Sequence, residues 1–382
     1  MNTSDKINSL KISFAGDTSF TGIFRKKVMD GEEIFSEEFL SKYNKSEFFV
    51  LNFEGAATKS CQNENSKFAL FSPTCSISYL NKYLNPIFNL ANNHIFDCGL
   101  KGFLETKQEI KWQKLLYFGA GENIKEASRV LFLEHKNIRI AILGISHREG
   151  EIASKNSAGV FCQNEFQLLK QKIALAKKQA NYVIVNYHGG EEYTFFPSPA
   201  KRKYLRKIAK LDGVDIIIAH HSHTFQGIEK IKNTTIFYSL GNFIFDIPQH
   251  KIRTGTNKSA IVSLTFTNEN YEYVVQPIHI NSTTGTINMG EIVSYENILK
   301  ISDFSNYKNE WNSEAHRVLF KTDTKSLNMP EEKNSLKKMS ILKLLFSKEF
   351  YERTFQILKN NNERDIYFGA IKHLIFNKFH SK

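Results

Sequence analysis

Val183-Ile184-Val185-Asn186-Tyr187-His188-Gly189-Gly190-Glu191-Glu192-Tyr193 and, further along, Ile216-Ile217-Ile218-Ala219-His220-His221-Ser222-His223 decide the fold. Twice a run of β-branched residues ends abruptly in histidine, and the region closes with Tyr238-Ser239-Leu240-Gly241-Asn242-Phe243-Ile244-Phe245-Asp246. Runs that are apolar at every position predict strands buried on both faces. A strand that delivers imidazoles at its carboxyl end is how an α/β fold builds a site in the crevice beyond its sheet.

Working outward, the same pattern recurs upstream. Lys11–Asp17, Phe48–Glu54 and Ile87–Ala91 are apolar runs that end in Asp17, in Asn52 with Glu54, and in Asn92-Asn93-His94. Between and after them, helices are predicted over Phe24–Met29, Gly99–Lys114, Ile124–Ala127, Glu165–Lys178 and Pro199–Leu211. Val130–Leu133 and Ile138–Ile145 read as a hairpin with Lys136-Asn137 at its tip. Tyr117–Gly121, Phe225–Ile231, Thr235–Tyr238, Ala260–Phe266 and Tyr271–Ile280 complete the strands, and the polar loop 146–159 reads as a mobile rim. Alternating elements with a β-rich end predict a layered α/β fold with mixed β-sheets flanked by helices. The division expected is a tail over 1–10, a main domain over 11–289 and an α-helical C-terminal extension over 290–382. Helical spacing in the extension falls at Ile341–Phe346 and Ile366–Ile375, with a break at Asn360-Asn361-Asn362.

The chain of 382 residues is 41% hydrophobic and 24% charged, which is ordinary globular usage. Its net charge of +12 favours acidic partners such as a phosphorylated substrate, a polyanion or a lipid surface. The excess is uneven: Lys333–Lys382 holds eleven Lys or Arg against four Asp or Glu. Lys201, Arg202, Lys203, Arg206, Lys207 and Lys210 recur along one helix and read as its solvated face. No nucleic-acid motif is present, so no specific nucleic acid is expected. Met1–Leu10 lacks an apolar segment of the secretory kind, and no apolar run is long enough to span a bilayer. Cys61, Cys75, Cys98 and Cys162 lack the spacing of a thiolate zinc site and read as reduced thiols of a cytoplasmic protein.

Taken singly, the polar strand ends have ordinary explanations. Asp17 suits a turn or the N-cap of the following helix, Asp97 the N-cap of the next one, and His94 a core imidazole. Jointly they are harder to explain, because grouping desolvated imidazoles is costly unless they bind something. A set of Asp, Glu, Asn and three His without thiolate suits Mn, Fe or Zn. It exceeds what one tetrahedral ion uses, which points to two divalent ions sharing a carboxylate. Such pairs clamp the attacking and leaving oxygens in hydrolysis.

Gly16-Asp17; Asn52-Phe53-Glu54-Gly55 with Thr58; Leu90-Ala91-Asn92-Asn93-His94 with Asp97 and Gly99; Gly119-Ala120-Gly121; His188, Gly190, Glu192 and Tyr193; His221 and His223 with Gln226; and Tyr238 through Asp246 come in one order. In that order they resemble the CapA family of capsule or poly-γ-glutamate synthesis proteins, whose fold is similar to the calcineurin-like metallophosphoesterases. The resemblance covers roughly residues 11 to 250. It implies Asp17 as a ligand of a first metal, Glu54 as the bridging carboxylate, Asn93 and His188 on a second metal, and His221 and His223 as one imidazole for each ion. It implies a catalytic His94 that protonates the leaving group, with Asp97 holding its ring. Asn52, Arg148 and Glu192 are the expected substrate contacts. Ser19 departs from the metallophosphoesterase pattern, which has a histidine there, and this removes an imidazole from the first metal. The expected function is metal-dependent, phosphoesterase-like hydrolysis in assembly of an anionic capsule, poly-γ-glutamate or surface polysaccharide. The rival is a non-enzymatic accessory protein that keeps the fold and binds the polymer or its synthase. Capsule-synthesis partners, or peripheral contact with an anionic membrane, are expected at the basic C-terminal helices.

Overall fold

The strand Leu10–Thr18 is buried along almost its whole length, as its two-sided apolar run dictates. Ile12 and Phe14 enter one core and Ala15 another, the period of two of extended chain. The computed structural model describes residues 9–43, 48–62, 69–147, 150–290, 300–320 and 364–380.

That strand lies inside a mixed sheet. Its order is Thr286–Met289, Tyr271–Asn281, Lys258–Phe266, Leu10–Thr18, Phe48–Phe53, Asn85–Asn89 and Leu116–Phe118. The last four run parallel and the others antiparallel. A second sheet orders Phe225–Ile231, Thr234–Leu240, Ile216–His220, Tyr182–His188, Ile138–Ser146 and Leu131–His135, with a parallel centre and antiparallel edges.

The sheets share one core. Ile12, Phe14 and Val50 from the first meet Ile142, Ile184 and Ile218 from the second. The outer face of the first sheet packs on Phe24, Phe39, Ile77 and Phe103, carried by helices Gly22–Asp30, Glu37–Lys42, Cys75–Tyr83 and Gly99–Trp112. The outer face of the second packs on Leu169 and Ile173 of Phe166–Lys177 and on Leu205 and Ile208 of Pro199–Ala209. Helix, sheet, sheet and helix therefore form four layers, the mixed α/β architecture expected from the sequence. Local signals agree: Ser198 caps Lys201 N with Pro199 in the first turn, and Lys136 takes the left-handed conformation at the hairpin tip.

The Tyr238–Asp246 segment turns at Gly241, but its two strands lie in different sheets. Thr234–Leu240 belongs to the second sheet, while Asn242–Ile244 pairs with Leu10–Thr18 in the first, with Asp17 opposite Asn242. At this seam a Cβ on Gly16 would stand 1.8 Å from the Gly241 carbonyl oxygen. Asp17 N donates to that same oxygen at 2.9 Å.

Of the C-terminal part, helices Tyr307–Phe320 and Arg364–His380 pack together, and Trp311, Ala315, Ile366 and Ala370 cluster with Phe196. Tyr307 Oη donates to Pro197 O at 2.8 Å and Arg317 to Tyr193 O at 2.6 Å. The helix expected at Ile341–Phe346 and the break at Asn360–Asn362 lie outside the described residues. Among the described residues no helix is long and apolar enough to cross a membrane.

The seam makes a prediction. Gly16→Ala must displace the Gly241 backbone and should cost more than about 3 kcal/mol in urea unfolding. Gly31→Ala, with φ +73° but open space, should cost only about 1 kcal/mol. Equal losses would show that the seam is not tight.

Candidate metal centre

Asp17, Glu54, Asn93–His94, His188 and His221–His223 follow the carboxyl ends of parallel strands, two sets from opposite sheets that converge in one crevice. Asp17, Glu54, His188, His221 and His223 are all buried. Two groups of side chains could each hold a cation: Glu54 with His188 and His221, and Asp17 with Glu54 and His223. Glu54 is common to both.

Distances define the first group. His188 Nε2 lies 2.7 Å from Asn93 Oδ1, 3.0 Å from His221 Nδ1 and 3.8 Å from Glu54 Oε1. Asn52 Nδ2 faces Nδ1 of the same ring, so the ring proton of a neutral His188 lies on Nε2 and serves Asn93 Oδ1. In the second group His223 Nδ1 is 3.4 Å from Asp17 Oδ2, and its Nε2 is 4.0 Å from Glu54 Oε1. Both Glu54 oxygens are buried without a hydrogen bond among the described residues. Burial, and then the Asp17 charge, push its carboxyl well above the usual range. Burial likewise drives His188 and His221 well below the ordinary imidazole range, so both rings stay neutral.

A supporting layer surrounds these groups. Asn52 Nδ2 donates to Asp17 Oδ1 at 2.8 Å and to His188 Nδ1 at 3.0 Å, while its Oδ1 accepts from Asn89. Asn52, an expected substrate contact, has its amide engaged on both sides by these bonds. Asn242 Oδ1 accepts from His223 Nδ1 at 2.9 Å, which leaves His223 Nε2 free to face Glu54. Sequence reasoning left the role of the Tyr238–Asp246 stretch open, and this bond supplies one. Asp246 Oδ2 in turn accepts from Ile23 N and caps the helix for which Asp17 was one candidate cap.

His94 Nδ1 meets Asp97 Oδ2 at 2.7 Å, and its Nε2 is 3.8 Å from Glu54 Oε1. Asp97 also accepts from Leu70 N, whereas Cys98 occupies the N-cap position. Glu192 is half-buried, and its charge contributes to raising Glu54. Arg148 lies outside the described residues. Ser19, in the place of an expected imidazole, is buried with its Oγ unpartnered. His220, which sequence reasoning passed over, is buried with Nδ1 3.7 Å from Asp17 Oδ1. Its register opposite His188 in neighbouring strands was the available signal.

Other expectations are corrected. An extended chain would point His221 and His223 one way; both are left-handed, with φ 88° and 57°, and a turn rather than a strand aims them. Lys201 was expected on a solvated helix face but is buried, its Nζ donating to His220 O at 3.0 Å. Burial pushes its ammonium down to about 7. Arg202 and Arg206 pair with Glu229. Cys61 and Cys98, expected as reduced thiols, form a disulfide across 37 residues. That spacing carries no local signal, since only the fold brings the two loops together. Cys75 and Cys162 form no disulfide among the described residues.

The layers and the shared, buried His–carboxylate crevice define an α/β protein built around a candidate cation site. The chain belongs to the family of bacterial capsule synthesis protein PGA_cap, whose model matches residues 11–247. It is 42% identical over 166 residues to capsule biosynthesis protein CapA of Bacillus anthracis, covering 42% of this chain and 40% of that one. It is 30% identical over 323 residues to PGA biosynthesis protein CapA of Bacillus subtilis, covering 82% and 83%. Among solved structures it is similar to the calcineurin-like phosphoesterase YfkN of Bacillus subtilis, with 14% identity, a TM-score of 0.40, and coverage of 77% and 99%.

The disulfide joins the loop after Glu54 to the loop carrying His94 and Asp97. A Cys61→Ser/Cys98→Ser variant should lose about 2–4 kcal/mol in denaturant unfolding. Reduction of the wild type should give the same loss; an unchanged midpoint in both would mean the bond carries no stability.

Proposed function

We propose that this chain is a metal-dependent hydrolase of phosphoesterase type, acting in the synthesis of an anionic capsule or poly-glutamate polymer. Glu54 carries the reading: both of its oxygens are buried, without a hydrogen bond among the described residues, between His188 and His221 on one side and His223 on the other. A bare buried carboxylate costs several kcal/mol. Cations shared by Glu54 would offset that cost. Glu54, Asn93, His188 and His221 would hold one ion, and Asp17, Glu54 and His223 the other. The nitrogen and oxygen donors suit Mn, Fe or Zn. When bound, such ions supply charge stabilisation for the attacking and leaving oxygens.

The chain's own groups do the rest. Asn52 and Asn242 fix the ligand rings and the Asp17 carboxylate. His94, held by Asp97, carries a proton toward the departing oxygen. Glu192 lines the approach and contacts the substrate. The polymer assignment follows the relatives' names, which include a probable polyglutamine synthesis accessory protein of Mycobacterium tuberculosis, 23% identical over 169 residues. The Cys61–Cys98 bond supports an oxidising compartment in place of the cytoplasm. The extension, 290–382, would face synthesis partners or an anionic lipid surface.

A second reading has its own observation. Ser19 replaces an imidazole and leaves a bare hydroxyl, which favours an accessory protein that binds polymer without turnover.

Metal content and phosphoester turnover separate the two. Wild type reconstituted with Mn, Fe or Zn should hold about two ions. Glu54→Gln should lose them. His94→Asn should keep them and turn over about 10²–10⁴-fold more slowly. Wild type that retains none of these metals would sink the hydrolase reading, and polymer binding indifferent to chelation and to His94 would establish the accessory one.

A further inference from the structure

Beside the candidate metal centre lies a cavity of about 940 Å³ that none of its donor residues lines. That volume is at the upper end of ordinary small-molecule sites. Phe195, Phe225, Phe245 and Ile280 contribute apolar walls, while His250 and Ser259 contribute polar ones.

Asp246 Oδ1, buried without a hydrogen bond, meets the Lys251 ammonium at 3.2 Å; the two neutral wall atoms that lack partners among the described residues are His250 Nε2 and Ser259 Oγ. Both residues are more than nine-tenths buried. The state of His250 follows from its neighbour. Asn242 Oδ1 accepts from His223, so the other end of that amide is the NH₂ group. It donates to Thr256 O at 2.9 Å and to His250 Nδ1 at 3.2 Å. A neutral ring that accepts at Nδ1 carries its proton on Nε2. His250, a residue of the wall, thus carries a buried N–H that has no acceptor among the described residues.

An anionic one is compatible with the surrounding charges. Of the four acidic residues on the wall, Asp246 is paired with Lys251, Glu314 is engaged by Arg317 and Phe195 N, Asp303 accepts from Ser305 N, and Glu310 is exposed; Arg253 lines the wall as well. Lys258 and Lys300 stand at the exposed side of the same cavity.

We propose that this cavity is a ligand site separate from the candidate metal centre, taking a carboxylate on an apolar carbon chain. One carboxylate oxygen accepts from His250 Nε2–H, Ser259 Oγ–H donates to the same group, and the chain lies against the phenylalanine walls. The source could be an acyl chain or the methylene side chain of an acidic residue, and the probes distinguish them.

The test is calorimetric titration of the whole chain, with and without chelator, using octanoate, glutarate and, as a control without carboxylate, octanol. Octanoate or glutarate should bind saturably and octanol at least tenfold more weakly; octanoate the tighter identifies an acyl chain, glutarate a short acidic one. His250→Phe should weaken carboxylate binding at least tenfold, and the surface change Lys258→Gln a few-fold. If His250→Phe does not fold, Ser259→Ala provides the second wall variant and should weaken binding a few-fold. Equal binding of octanol, binding unchanged in these variants, binding abolished by chelator, or no binding to wild type would each overturn the proposal.

Discussion

The constraint on which the rest depends is the desolvation of two carboxylates. Asp17 and Glu54 are fully buried, and burial is the largest influence raising both. Asp17 is relieved by protein donors: Asn52 Nδ2 at 2.8 Å and the His221 amide at 3.2 Å. Glu54 receives none. The fold therefore compensates one acid and leaves the other bare at the point where two ligand sets meet. Such asymmetry has little structural use, because an apolar residue there would cost nothing in desolvation. It makes sense when the missing charge arrives from outside.

Four layers exist to hold that point. Parallel strands in each sheet aim their carboxyl ends at one crevice, and the Gly241–Asn242 turn stitches the sheets together within one residue of the site. That turn has two tasks: Gly241 O anchors the Asp17 backbone, and the Asn242 amide orients His223. A segment that reads in sequence as a plain strand–turn–strand is thus both a tertiary clasp and a supporting shell for a ligand.

The legible part of this protein was periodic or local. Continuous apolar runs gave Leu10–Thr18, Tyr182–His188 and Ile216–His220 almost to the residue, and polar strand ends gave the donor set. Illegible features depended on sequence-distant contact. Nothing local predicts that Cys61 meets Cys98, that Lys201 is buried while its helical neighbours are paired at the surface, or that Asn52 spends its amide on Asp17 and His188. The helix Cys75–Tyr83 was missed because Ile77 and Leu80 give its apolar face too few residues to stand out. Asp97 was a balanced choice in sequence, cap or partner; geometry resolves it because Oδ2 reaches the His94 ring while Cys98 holds the cap position.

The turn at His221–His223 shows how the site is kept in shape. Left-handed backbone at a residue bearing a Cβ costs roughly 1–2 kcal/mol, and here two imidazoles adopt it within three residues. Strain of this kind persists only where the surroundings over-determine it. They do: His221 N is held by Asp17, Tyr193 N donates to Ser222 O at 2.8 Å, and Lys201 Nζ holds His220 O. Lys201 sacrifices solvation to do so, which explains why its ammonium is driven down. A relaxed extended chain would throw His221 and His223 to one side of a strand. The strained turn instead directs one ring toward His188 and the other toward Asp17, the separation that two ligand groups sharing Glu54 require.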